Sequence, residues 1–367
     1  MRENSIKALL CIASLFVAAT GHAGITIEQL VEQARIEEGD VAVREMPRWR
    51  GASKILIREI GIGVAEIAQE FDVVEIIAVR TVGEALQHAG DADAIIGFCD
   101  AQLIAAAEKL LWVQIFGAGA ERCLRVAEIA SGDLILTNMQ KMSSPVIAEH
   151  AIAMMLSLSR KLPQFVRAME RGEWARNATA TAGMAPVAGK TLLVVGLGGI
   201  GSEVARLGAA LGMRVMATRN SSRFGPDYVD YVGLSDELHD LAAAADVIIS
   251  ALPLTNSTRD LFDQEFFAAV KPGALFINVG RGKSVVTAAL IDALDTGRIS
   301  GAGLDVTEPE PLPTDHPLWR YENVIVTPHV SSSGGEIERH RVLLMENLKR
   351  YIAGDRLLNV VDPEKGY

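Results

Sequence analysis

Three ionisable side chains stand directly after short apolar runs. Arg281 lies in "FINVGRG", Glu310 in "GLDVTEPEPLP" and His329 in "VIVTPHV". An arginine grips a carboxylate through paired, charge-assisted N–H bonds and stabilises negative charge on a nearby oxygen. A histidine can hand a proton to that oxygen, and a neighbouring glutamate keeps the ring oriented. Together the three residue types could act on one ligand held in a shared crevice. Singly, each has a plainer explanation: a loop-tying guanidinium, an exposed acid, a packed imidazole. Their shared position after buried strands favours the catalytic reading, because ligands of open α/β sheets bind beyond the carboxyl ends of the strands.

A fourth apolar run leads into glycines. "VVGLGGIG" contains Gly196-x-Gly198-x-x-Gly201, after Leu192 to Val195 and before the helical run "SEVARLGAALG". In a strand–turn–helix setting the first glycine allows the tight turn. The second lets backbone approach a pyrophosphate, and the third lets helix pack on strand. The free N–H groups of the helix start then face the phosphate charge. The following strand, "RVMAT", runs into Thr218-Arg219-Asn220-Ser221-Ser222-Arg223. An acid there would read the ribose hydroxyls of NAD; guanidinium and hydroxyl groups suit a 2′-phosphate instead. Arg219, Asn220 and Ser221 are therefore candidates for binding NADP, favoured over NAD, and Arg219 is a better candidate than Arg223.

The elements that must position these residues alternate. "KILI", "VVEIIAV", "ADAIIGF" and "LLWVQIFGAGAE" read as four strands with helical patterns between them. From Thr191 onward six more strand candidates follow, ending in "NVIVTPHV". The fold class is α/β, with two Rossmann-like or flavodoxin-like domains, parallel sheets and a cleft between them. A long helix is expected from Ser144 to Leu162, capped by Ser144 with Pro145 in its first turn. Another helix, "EIERHRVLLMENLKRYIAG", closes the chain. Trp174 either closes over the cleft or packs locally, and His150 is expected to pack within its helix.

Composition sets limits. Of 367 residues, 49% are hydrophobic and 22% charged, enough for a sizeable core; the net charge of -11 argues against nucleic acid as a partner. Cys11, Cys99 and Cys123 are too scattered for a disulfide framework or metal site. Cys99 and Cys123 read as small buried apolar groups.

Read in order, "GLGGIG", "ALPLTNSTRDLF", "FINVGRG", "GAGLDVTEPEPLP" and "VTPHV" resemble the D-isomer-specific 2-hydroxyacid dehydrogenases. The likeness is dense from Lys190 to His329 and looser from about Lys54. It implies that Arg281 holds the substrate carboxylate, that His329 is the general acid/base and that Glu310 is its partner. It implies backbone contacts from Ala118 and Gly119 to the substrate. Toward the cofactor it implies Gly199, Ile200, Leu252, Pro253 and Asp305, with Thr258 and Val279 of the same motifs joining that set. It also implies an NAD(P)-linked reduction of a small 2-oxo acid, such as glyoxylate or hydroxypyruvate, to the D-2-hydroxy acid. Phosphite or phosphoglycerate oxidation on the same fold stays open, as does a non-catalytic, nucleotide-sensing corepressor-like role. Formate-oxidising relatives carry glutamine where Glu310 stands, which argues against formate.

The expected organisation is a signal peptide over 1–23, an extension over 24–53, a substrate-binding domain over 54–140 completed by 340–367, and a cofactor domain over 141–339. The start has a charged opening, the apolar run "ALLCIASLFVAAT" and small residues before Gly24, the layout of a secretory signal. It points to the periplasm or outside, with no membrane association after its removal. A cytoplasmic location with a later start codon is the alternative.

Overall fold

A computed structural model of the chain describes residues 25–177, 181–335 and 337–366. The apolar runs form two parallel sheets. The first contains β1 (Lys54–Arg58), β2 (Glu75–Val79), β3 (Ala94–Ile96), β4 (Trp112–Gln114) and β5 (Ile135–Thr137), in the order β2-β1-β3-β4-β5. This is the flavodoxin-like order. The second contains β6 (Thr191–Val195), β7 (Arg214–Thr218), β8 (Tyr231–Gly233), β9 (Val247–Ser250), β10 (Ala274–Asn278), β11 (Ile299–Leu304) and β12 (Val324–Val326). Its order, β12-β11-β10-β9-β6-β7-β8, reverses direction beside β6. The glycine turn therefore emerges at the switch point, where a crevice opens.

Unbroken apolar strands are buried on both faces. Leu192 and Val194 enter one core, while Leu193 and Val195 enter the core on the other side. In the first sheet Leu56 and Ile95 face one core, and Ile55, Ile57 and Ile96 the other.

Two strands were not foreseen. They are β5 and β8, each three residues long. The expected long helix is present and ends three residues earlier than expected, and a second, unexpected helix follows it. Ser144–Ser159 ends where Lys161 turns left-handed (φ 54°), and Leu162–Glu170 starts afresh with Pro163 in its first turn. The cap position of the first is Ser143, not Ser144. Ala148, Ala151, Met154, Met155 and Leu158 bury this helix against Gly199–Ala210 and β10 to β12 of its own chain. That face of the helix is interior. The exposed apolar residues lie further on, at Leu162, Val166, Met169 and Trp174. Trp174 is 92% exposed, so it neither covers the cleft nor packs locally.

Residues 25–53 fold back onto the first sheet. Thr26 and Gln29 form a reciprocal capping box on helix Ile27–Ala34, and Leu30 is fully buried. It shares a core with Leu343, Leu344, Leu348 and Tyr351 of the C-terminal helix Ile337–Ala353. The expected signal segment lies outside the described residues. Among the described residues no helix is long and apolar enough to cross a membrane.

Candidate active site and cofactor groove

Arg281 follows β10 at the head of a short turn, Gly282–Ser284. The hydroxyl of Ser284 (2.7 Å) and the side-chain amide of Asn278 (3.0 Å) both donate to the Arg281 carbonyl. The guanidinium donates from Nε to Glu121 Oε1 at 2.9 Å and from Nη1 to the Gly280 carbonyl at 2.9 Å. Glu121 belongs to the loop after β4, so this pair bridges the two sheets. Gly119 lies directly against the pair: a Cβ there would collide with Arg281 Nη2 and sit 2.6 Å from Glu121 Oε2. Ala118 is exposed on the same loop, its carbonyl accepting from Asn138 Nδ2 at 2.7 Å.

The loops after the next two strands carry Glu310 and His329. His329 Nδ1 and Glu310 Oε1 are 2.9 Å apart. A carboxylate accepts from Nδ1–H, which leaves Nε2 to exchange protons. Both side chains stay open, 47% and 41% exposed, as groups that must meet a substrate require. His329 is left-handed, φ 54°, an uncommon state for a side chain with a Cβ. Asp305 holds it there. Its carbonyl accepts from the His329 amide at 2.8 Å. Its buried carboxylate accepts from the amides of Val330 (2.9 Å) and Ser331 (3.1 Å) and from the Thr327 hydroxyl (2.7 Å). Burial pushes the Asp305 carboxyl up, but hydrogen bonds from Ser331, Thr327 and Val330 prevail and hold it below its ordinary value. Gly282 lets these tips close up, since a Cβ there would run into the Thr307 carbonyl at the start of the Glu310 loop.

The glycine turn has the shape a dinucleotide needs. Gly196 has φ 97°, a conformation that favours glycine. At Gly201 a Cβ would collide with the Gly196 carbonyl, so turn and helix pack backbone to backbone. At Gly198 a Cβ would meet nothing within 4 Å, leaving an open cradle before helix Gly199–Ala210. Ile200 sits half-buried in the first turn. Leu252 lies over Gly196, its Cδ2 2.9 Å from where a Cβ would be. The donor set and the cradle fit a dinucleotide phosphate. Val279 is buried at the end of β10, and Pro253 is exposed. The Thr258 hydroxyl is turned into its own loop, donating to the Pro253 carbonyl at 2.7 Å. Asp305, likewise, has its carboxylate directed at the His329 loop.

At the tip of β7, Arg219 Nη1 donates to the Phe224 carbonyl at 3.3 Å. Arg223 is held by Glu237 at 2.7 Å and by the Tyr231 hydroxyl at 3.1 Å. Asn220 and Ser221 are exposed.

Residues 152–331 match the family model described as D-isomer specific 2-hydroxyacid dehydrogenase, NAD binding domain. A glyoxylate reductase of Korarchaeum cryptofilum is 32% identical over 292 residues, covering 76% of this chain and 85% of that protein. The chain belongs to the D-isomer specific 2-hydroxyacid dehydrogenase family. A D-3-phosphoglycerate dehydrogenase of Methanocaldococcus jannaschii is 32% identical over 304 residues, covering 81% of this chain but 57% of that protein. The chain thus spans little more than half the length of that relative. Among solved structures, an NADPH-dependent glyoxylate/hydroxypyruvate reductase of Sinorhizobium meliloti, in complex with NADP and sulfate, superposes with TM-score 0.74 at 27% identity. That match covers 86% of this chain and all of the other.

Sequence reasoning missed three features of this site and its surroundings. Glu121 was visible in "FGAGAE" but carried no signal, because its partner is 160 residues away. His150 reaches out of its helix to the Thr327 hydroxyl at 2.9 Å, tying the helix to the catalytic loop. Cys99 and Cys123 were read as isolated apolar groups. They are instead paired as a disulfide, Cα atoms 5.5 Å apart, joining the loops after β3 and β4. Two cysteines in neighbouring parallel crossovers meet only once the strand order is known.

Proposed function

We propose that this chain reduces a small, singly charged 2-oxo acid to the D-2-hydroxy acid with NADPH, as a glyoxylate or hydroxypyruvate reductase. The observation that carries the reading is the 2.9 Å pair of Glu310 and His329, held beside Arg281 at adjacent strand tips. A bound reduced nicotinamide supplies the hydride. Arg281 and the Ala118–Gly119 backbone hold the carboxylate and turn the carbonyl into line. His329 Nε2 donates its proton as the carbonyl oxygen becomes an alkoxide, and Glu310 steadies the imidazole throughout.

Two features favour this substrate class. Glu121 already places a negative charge on Arg281, so a substrate bearing a further phosphate brings like charges together. That disfavours the phosphoglycerate reading. For the cofactor, no carboxylate stands at the tip of β7, and Arg219 does. The NADP named with the Sinorhizobium structure agrees.

Initial rates with NADPH and NADH across glyoxylate, hydroxypyruvate, pyruvate and 3-phosphohydroxypyruvate test the reading. NADPH with glyoxylate or hydroxypyruvate is expected to give the highest kcat/KM. Fastest turnover of the phosphorylated acid would overturn the charge argument. Cofactor binding with no turnover of any acid would favour the corepressor-like role.

The exposed residues Leu162, Val166, Met169 and Trp174 fit burial by a second copy of the chain, and we read the protein as a homodimer on that basis. The Cys99–Cys123 pairing agrees with export through the expected signal, since disulfides belong mainly to oxidising compartments. A mature start at Gly24 on N-terminal sequencing supports that route; an intact Met1 rejects it.

A further inference from the structure

The glycine turn and the tip of β7 are not the only segments that reach the cofactor groove. Lys141, left-handed at φ 71°, lies just before helix Ser144–Ser159. Its ammonium donates to the backbone carbonyl of Arg35, at the end of helix Ile27–Ala34. Its stem lies against the first residue of the dinucleotide helix: a Cβ on Gly199 would sit 2.9 Å from Lys141 Cγ and 2.7 Å from Ser144 Oγ. Ser144 is 5% exposed, and its hydroxyl has no hydrogen-bond partner. A buried hydroxyl left unpaired is costly unless something arrives to meet it.

Two cations and one acid act on this lysine. Burial pushes the Lys141 ammonium below its ordinary value; Glu37, the next influence, opposes it, and Arg219 and Arg35 add to the lowering. Arg35 also acts on Tyr228, whose hydroxyl donates to the Ser202 carbonyl in the dinucleotide helix at 3.3 Å. Lys141, Arg35 and Arg219 thus come from three separate segments, with Glu37 as the acid acting among them, in a chain of net charge -11. Like charges held together repel, and a polyanion relieves that repulsion.

We propose that Lys141 and Arg35, together with Arg219, form a phosphate subsite along the adenosine half of the cofactor groove, so that the N-terminal arm is part of the cofactor site. Lys141 and Ser144, which abut Gly199, serve the pyrophosphate. Arg35 and Arg219 serve the phosphate carried on the ribose. The proposal rests on the dinucleotide site, not on the identity of the 2-oxo acid.

Calorimetric titration of the full chain with ADP and with 2′,5′-ADP tests it without any turnover. Lys141→Gln is expected to weaken both ligands about tenfold. Arg35→Gln should weaken 2′,5′-ADP several-fold and ADP less. Lys141→Arg and Arg35→Lys should recover most of the affinity. Thermal melts separate this role from a structural one. A phosphate-binding lysine held among cations gives Lys141→Gln an unliganded melting temperature equal to or above wild type, with a smaller rise on adding 2′,5′-ADP. If the lysine merely ties down the arm, the unliganded variant melts earlier while fragment affinity is unchanged, and the proposal falls. Arg35 is exposed, so its glutamine variant tests the same subsite even where Lys141→Gln folds poorly. Binding of both fragments within twofold of wild type by Arg35→Gln and Lys141→Gln also overturns it.

Discussion

The loop that carries His329 and the loop that follows β7 both serve the groove, yet they are built in opposite ways. His329 sits in an uncommon backbone state, pinned through its own amide and through a buried carboxylate that takes three further donors. Arg219 sits on an exposed turn with a single long hydrogen bond to Phe224. Proton transfer demands that the imidazole be in place before the substrate arrives, since small misplacements are costly in rate. Phosphate recognition has a different requirement. A guanidinium already locked to a carboxylate must give up that partner, as Arg223 would have to give up Glu237. The rigid loop is arranged for chemistry, and the loose one keeps a cation available for the ligand.

The largest effect should come from the rigid loop itself. His329→Ala removes the positioned acid and should lower kcat by ~10²–10⁴. Calorimetric NADPH binding should be nearly unchanged; loss of both together would mean the histidine shapes the groove rather than the reaction.

Next comes the support beneath it. Asp305→Ala leaves the Val330 and Ser331 amides and the Thr327 hydroxyl without their acceptor, at roughly 1–3 kcal/mol for each buried orphan. The variant should melt several degrees earlier and turn over more slowly even below its melting point. Wild-type turnover in a folded Asp305→Ala would break the link between rigidity and rate. The same carboxylate predicts a pH effect. Its folded pKa is depressed, so its contribution to stability is fully present above the ordinary value of 3.8 and is lost as pH falls through the lower folded value. Asp305→Asn should therefore lose less stability than wild type between pH 4 and pH 2, measured by denaturant midpoints.

The contrast also explains what the sequence disclosed. Gly196, Gly198, Gly201, Arg281, Glu310 and His329 stand within a few residues of apolar runs, so local pattern and strand-tip logic place them on one rim. The alternation of strand and helix gave the doubly wound class. Glu121, the His150–Thr327 bond and the Cys99–Cys123 pair depend on which crossovers become neighbours, and no local spacing records that. The helix Leu162–Glu170 escaped, although Pro163 stands where a first helical turn accepts it.

The smallest effect tests the loose loop. Arg219→Gln removes a cation that nothing else in its turn neutralises, and a charge-assisted hydrogen bond is worth about 1.5–3 kcal/mol. Exposure at the turn argues for the low end, so the ratio of kcat/KM for NADPH over NADH should fall about tenfold. Arg223→Gln should shift that ratio less than twofold, because its guanidinium is engaged with Glu237 and Tyr231. The reverse ranking would mean that the turn rearranges when the ribose phosphate arrives, releasing Arg223 from Glu237. Availability of a cation in the unliganded loop would then be a poor guide to its use, and the distinction between the two loops would reduce to one of mobility. Glu237→Gln separates the cases: it should leave the NADPH preference unchanged if Arg219 does the reading, and strengthen it if Arg223 does.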